Sequence, residues 1–157
     1  MKENEIRLRR VTSAGKDPSQ GNIVYLTFND GIKGKITFLE ENIFRYDVDS
    51  AGEFADYAKP VDEKHAARIQ QRPDDSDAYA RPEAAVSEQE GRTAVRCGDT
   101  SVIFDTTTAK MQIRVKDRIV MEEAKALSMQ EDSTVQTLIR QKDEDFYGGG
   151  TQNGRFL

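Results

Sequence analysis

The chain has 157 residues and a formal net charge of −5, from 28 Asp and Glu against 23 Lys and Arg. That length supports one domain with a real core, and the excess of acids with scattered cations argues against nucleic acid as partner, because phosphates call for clustered positive charge. A single cysteine, Cys97, and a single histidine, His65, exclude an intrachain disulfide and leave thiol–imidazole catalysis poorly supplied.

The N-terminal stretch MKENEIRLRR lacks the apolar segment of a secretory signal. No run of 18 apolar residues occurs that would span a membrane, so no membrane partner is expected and the default compartment is the cytoplasm. Arg7, Arg9 and Arg10, flanked by Glu3 and Glu5, read as a solvated strand end or N-terminal arm. Asn22 to Phe28 (NIVYLTF) is β-branched and aromatic and runs into Asn29-Asp30-Gly31, a tight-hairpin signal because Asp-Gly tolerates positive φ. GKITFLE returns from it. In IFRYDVD, Phe44, Tyr46 and Val48 alternate with Arg45, Asp47 and Asp49, the pattern of a half-buried antiparallel strand.

Val61 to Gln71 (VDEKHAARIQQ) is the one helix candidate, capped by Asp62 and stopped by Pro73. Arg72 to Gly91 reads as a long connection or an edge segment. Period two then returns in TAVRC, TSVIFD, KMQIRVKDRIVME and STVQTLIRQ, with a turn at Lys116-Asp117. About eight to ten strands at short spacing make the expected fold class all-β, an antiparallel sandwich with at most one or two short helices. The expected core is Val24, Leu26, Phe28, Ile36, Phe38, Phe44, Tyr46, Val102, Phe104, Ile113, Val115 and Val120.

The residues offer little chemistry. Starting at Gly148, a G-x-G-x-x-G fingerprint would need a third glycine where Asn153 stands, and no Lys-Ser/Thr follows for a phosphate loop. The triple glycine Gly148-Gly149-Gly150 allows a backbone path closed to residues with a Cβ, or the close approach of a ligand. Asp74, Asp75 and Asp77, and Asp143, Glu144 and Asp145, lie in polar stretches and read as solvated charge rather than a tuned acid pair. PDDSD falls short of a calcium loop, and HExxH, CxxC and Gly-x-Ser-x-Gly do not occur. Cys97 reads as a half-buried structural thiol and His65 as an exposed helix residue. No metal or cofactor is expected.

The final stretch, DEDFYGGGTQNGRFL (Asp143 to Leu157), resembles the segment that joins the N-terminal β-sandwich of glycoside hydrolase family 31 to its catalytic barrel. Many members of that family carry Tyr-Gly-Leu-Gly-Glu there. Here the run is Tyr147-Gly148-Gly149-Gly150-Thr151-Gln152, with Gly149 in place of Leu and Gln152 one residue beyond the usual Glu. This form is similar to a bacterial subgroup acting on α-glucans such as isomalto-oligosaccharides. Upstream, the segment ending in Phe44-Arg45-Tyr46 resembles the family's early strands, and SVIFDTTTAKMQIRVKDRIVM the hairpin before the junction.

The resemblance implies that residues 1–157 form a single galactose-mutarotase-like N-terminal domain, ending before the catalytic (β/α)₈ barrel. Both catalytic acids would sit on that barrel, leaving no catalytic residue in this chain and a fragment that is inactive alone. Gly148, Gly149, Gly150, Gln152 and Asn153 would line the rim of the sugar pocket. The partners implied are the barrel and an α-glucan oligosaccharide, and a face without its barrel would favour self-association. The alternative is a free-standing carbohydrate-binding sandwich, which needs an exposed aromatic platform. The absence of Trp, and aromatics that fall mostly within strand patterns, count against it. A mutarotase-like enzyme would need His and Glu in one cleft, and His65 alone serves that poorly.

Overall fold

The computed structural model describes residues 5–54, 79–130, 133–140 and 142. The expected helix over 61–71 lies outside them. In chain order the strands are β1 (Ile6–Arg7), β2 (Val11–Lys16), β3 (Ile23–Phe28), β4 (Lys33–Glu40), β5 (Ile43–Asp49), β6 (Ala85–Gln89), β7 (Arg92–Cys97), β8 (Thr100–Asp105), β9 (Met111–Val115), β10 (Arg118–Gln130) and β11 (Ser133–Leu138). They pair antiparallel in two sheets. One has four strands in the order β2-β3-β4-β5. The other has seven, in the order β1-β10-β9-β8-β7-β6, with β11 also on β10.

The two sheets meet through their apolar faces. Period-two alternation turns Val24, Leu26 and Phe28 of β3, and Ile36 and Phe38 of β4, to one side, where they are buried with Val95 and Cys97 of β7 and Val102 and Phe104 of β8. The Phe28 ring meets Phe104 edge-on at 5.9 Å between centroids, and Tyr46 meets the same ring at 5.7 Å. Each such side chain contributes about 1.5–3 kcal/mol by leaving water. The protein is an all-β sandwich. Gly34 is part of the fit: a Cβ there would lie 2.8 Å from Cε2 of Phe28, so the missing side chain is the space that the ring fills.

The turns follow their residues. Asp30 (φ 58°) and Gly31 (φ 78°) both take the left-handed conformation expected of Asp-Gly. The Phe28 N–H donates to the Ile32 carbonyl at 2.8 Å, so the loop has three residues, Asn29 to Gly31, rather than two. Buried Asn29 ties down the N-terminal arm: its Oδ1 accepts from the Arg9 N–H at 2.7 Å and its Nδ2 donates to the Arg7 carbonyl at 3.2 Å. Glu90 (φ 49°) and Gly91 (φ 72°) make a two-residue turn into β7, which leaves β6 as an edge strand within the expected 72–91 connection. Lys116 (φ 54°) closes the expected Lys116-Asp117 turn, with Val115 opposite Arg118.

Two core expectations are corrected. Val115 is 37% exposed and Val120 44%. Val115 is the last residue of β9, beside the turn, where it lines an open cleft with Glu40, Glu41, Asn42, Asp99 and Thr100. Val120 falls in a register shift: Ile119 pairs with Arg114 and Met121 with Ile113, so Val120 is the extra residue of a bulge. Phe44, Tyr46 and Ile113 are half-buried against the core, the first two on edge strand β5. Leu8, Val95, Met111, Ala126 and Leu127 join the core without having been expected there.

Strand β10 is the irregular member. Its first part pairs with β9; further on it pairs with β1, Ile6 opposite Met129, and with β11. Its pairing with β11 shifts register twice, between Glu123 and Lys125 and between Lys125 and Ser128.

Candidate functional site

The shifts in β10 place an acid inside. Glu123 is 2% exposed, although residues on either side of it meet solvent. A strand alternates faces, so two consecutive acids, Glu122 and Glu123, cannot both point outward. Glu123 takes the inner position and finds two donors there. The Met111 N–H donates to its Oε2 at 2.8 Å, and Nε2 of Gln136 donates to its Oε1 at 2.9 Å. Burial pushes its pKa up, against the pull of those two hydrogen bonds. The phenol of Tyr46 is also driven well above its ordinary value, first by burial and then by the Glu123 charge.

Glu123 forms part of the wall of a cleft of about 130 Å³ that also includes Arg92, Asp105, Lys110 and Glu122. The chemistry of this cleft is fixed by its hydrogen bonds. Oδ1 of Asp105 accepts from the Thr107 hydroxyl at 2.7 Å and the Thr107 N–H at 3.0 Å, and from the Thr108 N–H at 2.8 Å and hydroxyl at 3.0 Å. Those bonds, led by the Thr107 hydroxyl, hold its carboxyl below the usual carboxylate range. Asp105 is therefore the anchor of the β8–β9 turn. Glu123, with both oxygens engaged, clamps β9 and β11 to β10. A glycosidase pair needs one carboxyl free to give a proton and one free to attack or to activate water. Here Glu123 has both oxygens taken, by the Met111 N–H and by Gln136, and Oδ1 of Asp105 is taken by Thr107 and Thr108.

Cys97 is 2% exposed, more deeply buried than its alternating context suggests, and its thiol donates to the Pro82 carbonyl at 3.9 Å. Burial, with the Glu41 charge second, pushes the thiol's pKa up, the setting of an unreactive structural cysteine. Among the described residues no group of three His, Cys, Asp or Glu is placed to hold a metal ion, and no helix is long and apolar enough to cross a membrane.

The predicted rim residues, Gly148, Gly149, Gly150, Gln152 and Asn153, lie outside the described residues, as do His65, Asp74, Asp75, Asp77, Asp143, Glu144 and Asp145. What is described is the strand that leads toward the glycines. On and just after β11, Val135 (46%), Leu138 (46%) and Ile139 (42%) are exposed, and Ile6 of β1 (43%) is exposed on the other strand paired with this half of β10. Sequence reasoning did not single out Glu123. The signal available was the adjacent acid pair inside an otherwise alternating strand.

No family model matches the chain, and no curated protein matches it. Solved structures do. A cycloalternan-forming enzyme from Listeria monocytogenes, in complex with a pentasaccharide substrate, superimposes with a TM-score of 0.55 at 13% identity, over 80% of this chain and 10% of that one. An uncharacterised protein of the same organism, crystallised with α- and β-D-glucose, magnesium and calcium, matches with the same figures. The chain thus spans about a tenth of the length of each, and the likeness is one of fold: the sandwich corresponds to a small part of a larger carbohydrate-active protein.

Proposed function

We propose that this chain is the non-catalytic N-terminal β-sandwich of a family 31 glycoside hydrolase or transglucosylase, acting on α-glucans in the cytoplasm. In this reading residues 1–157 pack on a catalytic (β/α)₈ barrel of about 250 residues, and Gly148, Gly149, Gly150, Gln152 and Asn153 line the rim of its sugar pocket. The observation that carries the reading is the fold likeness over four-fifths of this chain to a tenth of a cycloalternan-forming enzyme, taken with the Tyr147–Gln152 junction sequence. Two features agree with it. Glu123, the most buried carboxylate of its cleft, is engaged at both oxygens as a structural acceptor, in keeping with a domain that supplies no catalytic acid. The apolar side chains of Val135, Leu138 and Ile139 stand uncovered on the strand that precedes the junction.

The test compares the purified chain with the longest product of its gene on isomaltose and p-nitrophenyl α-glucoside. The chain alone should be inactive and the longer product active, with Gly149→Val in the longer product lowering kcat while its secondary structure is unchanged. Activity that co-purifies with the chain alone overturns the reading. Full activity of the Gly149→Val variant removes the rim role.

A further inference from the structure

The outer face of the four-stranded sheet carries an aromatic pair that the core does not use. Tyr25 of β3 points away from Val24 and Leu26 and is 40% exposed. Cross-strand register sets it in a row with Gly15 of β2, Lys35 of β4 and Asp47 of β5. Beyond β5 the chain turns back over this face. Oδ1 of Asp49 accepts from the backbone N–H groups of Ala51, Gly52 and Glu53 at 2.8, 2.6 and 3.1 Å. Gly52 (φ 77°) passes so close to Lys33 that a Cβ would lie 2.7 Å from Cγ of that lysine. The turn delivers the Phe54 ring to 6.1 Å from the Tyr25 ring, with Nζ of Lys35 5.8 Å from the Phe54 centroid.

Two details set this pair apart from ordinary surface aromatics. Phe54 is held at φ 40°, a left-handed conformation unfavourable for a residue with a bulky side chain. On the other flank of Tyr25, Gly15 leaves open space: among the described residues nothing lies within 4 Å of where its Cβ would be. The ring is therefore braced on one side and clear on the other. Its surroundings are polar and balanced, with Lys35 opposite Asp47 and Lys33 opposite Asp49. A neutral ligand with an apolar face and a rim of hydroxyls fits this arrangement. The C–H bonds on one face of a pyranose, carrying partial positive charge, lie favourably on an electron-rich phenol ring, while ammonium and carboxylate groups beside it meet the hydroxyls.

We infer that Tyr25, braced by Phe54 and opened by Gly15, is a stacking platform for an α-glucan on the outer face of the four-stranded sheet. The choice of glucan rests on the function proposed above; the platform geometry does not.

Native gel electrophoresis of the purified chain through dextran and through soluble starch tests this. Wild-type protein should be retarded by at least one of the two. Tyr25→Ala should weaken binding about tenfold, as expected for loss of one aromatic stacking partner, and Tyr25→Phe should preserve it. Gly15→Val, which fills the open flank and leaves the tyrosine itself unchanged, should also abolish retardation and covers the case in which Tyr25→Ala perturbs the fold. Absence of retardation in both polymers, or unchanged retardation of Gly15→Val, overturns the platform. So does concentration-dependent dimerisation that Tyr25→Ala abolishes, which would assign the exposed ring to a second copy in place of sugar. A chain that binds no glucan while the longer gene product cleaves α-glucosides rejects the platform and keeps the enzyme reading. Tyr25-dependent binding by a chain whose longer product lacks glycosidase activity does the reverse.

Discussion

The four-stranded sheet and the β10–β11 edge are built from similar residues and behave differently. In the small sheet, β3 and β4 keep one register from Ile23↔Thr37 to Thr27↔Lys33, and alternate residues go to the interior without exception from Val24 to Phe28. On β10, shifts at Val120 and around Lys125 break the alternation, bury Glu123 and leave Val120 in solvent. Regular register sorts side chains by hydrophobicity alone. A bulge sorts them by position, and a buried charge then has to be matched by donors such as the Met111 N–H and Gln136.

The sharpest way to break the regular side of this contrast is Phe38→Ala. Phe38 is fully buried on β4 and its ring lies 5.4 Å from that of Phe44. Truncation should cost about 3–5 kcal/mol, a large share of a total of about 5–15 kcal/mol, so urea denaturation should show a greatly lowered midpoint or no folded baseline. A smaller loss is expected for Gly34→Ala, about 1–3 kcal/mol by overpacking against Phe28. A melting temperature equal to wild type would mean that the Phe28 ring has room to move aside.

On the irregular side, Glu123→Gln should cost about 1 kcal/mol, because an amide has one acceptor oxygen for two donors. Its pH dependence is more diagnostic. Burial raises the Glu123 pKa, so the folded protein holds that proton more tightly than the unfolded chain does. Stability from this group is then greatest below the ordinary carboxylate pKa and falls as pH rises through the raised value. Wild type should therefore lose stability relative to Glu123→Gln over that interval, measured as the difference between their urea midpoints. A difference independent of pH would show that Glu123 titrates normally. The least effect belongs to Val120→Thr, within about 0.5 kcal/mol of wild type, since its side chain is already in water.

The same contrast explains what the sequence made legible. Val24, Leu26, Phe28, Ile36, Phe38, Val102 and Phe104 were readable because period two holds unbroken in their strands and each face has one environment. The Asp-Gly and Lys116-Asp117 turns were readable from residue chemistry. Val120 was not, because a bulge is a property of a pair of strands and leaves no mark in either one. Strand β2 was missed and β1 was read only as a strand end or N-terminal arm, because short or polar edge strands lack alternation. Leu8 is buried in a segment whose neighbours are charged, held there by the backbone bond from its N–H to the Leu127 carbonyl at 3.0 Å. For the site, the glycine junction rests on resemblance alone, and residues 148–153 lie outside the described ones. Tyr25 was hidden by its place in a strand pattern, where exposure depends on which face is covered.

The pairing of Ile6 with Met129 also has a consequence for biosynthesis. The two residues are separated by most of the chain, so β1 has no strand to join until β10 has left the ribosome. At about 5–20 residues per second, the N-terminal arm waits roughly 6–25 s after its own synthesis. During that time Leu8, destined for the core, remains in water, and the small sheet β2–β5 is already available to fold. Strand β10 and the first strand made in the chain are thus joined late, so this seam closes only after the whole small sheet has been synthesised, with β11 alone still to follow on β10.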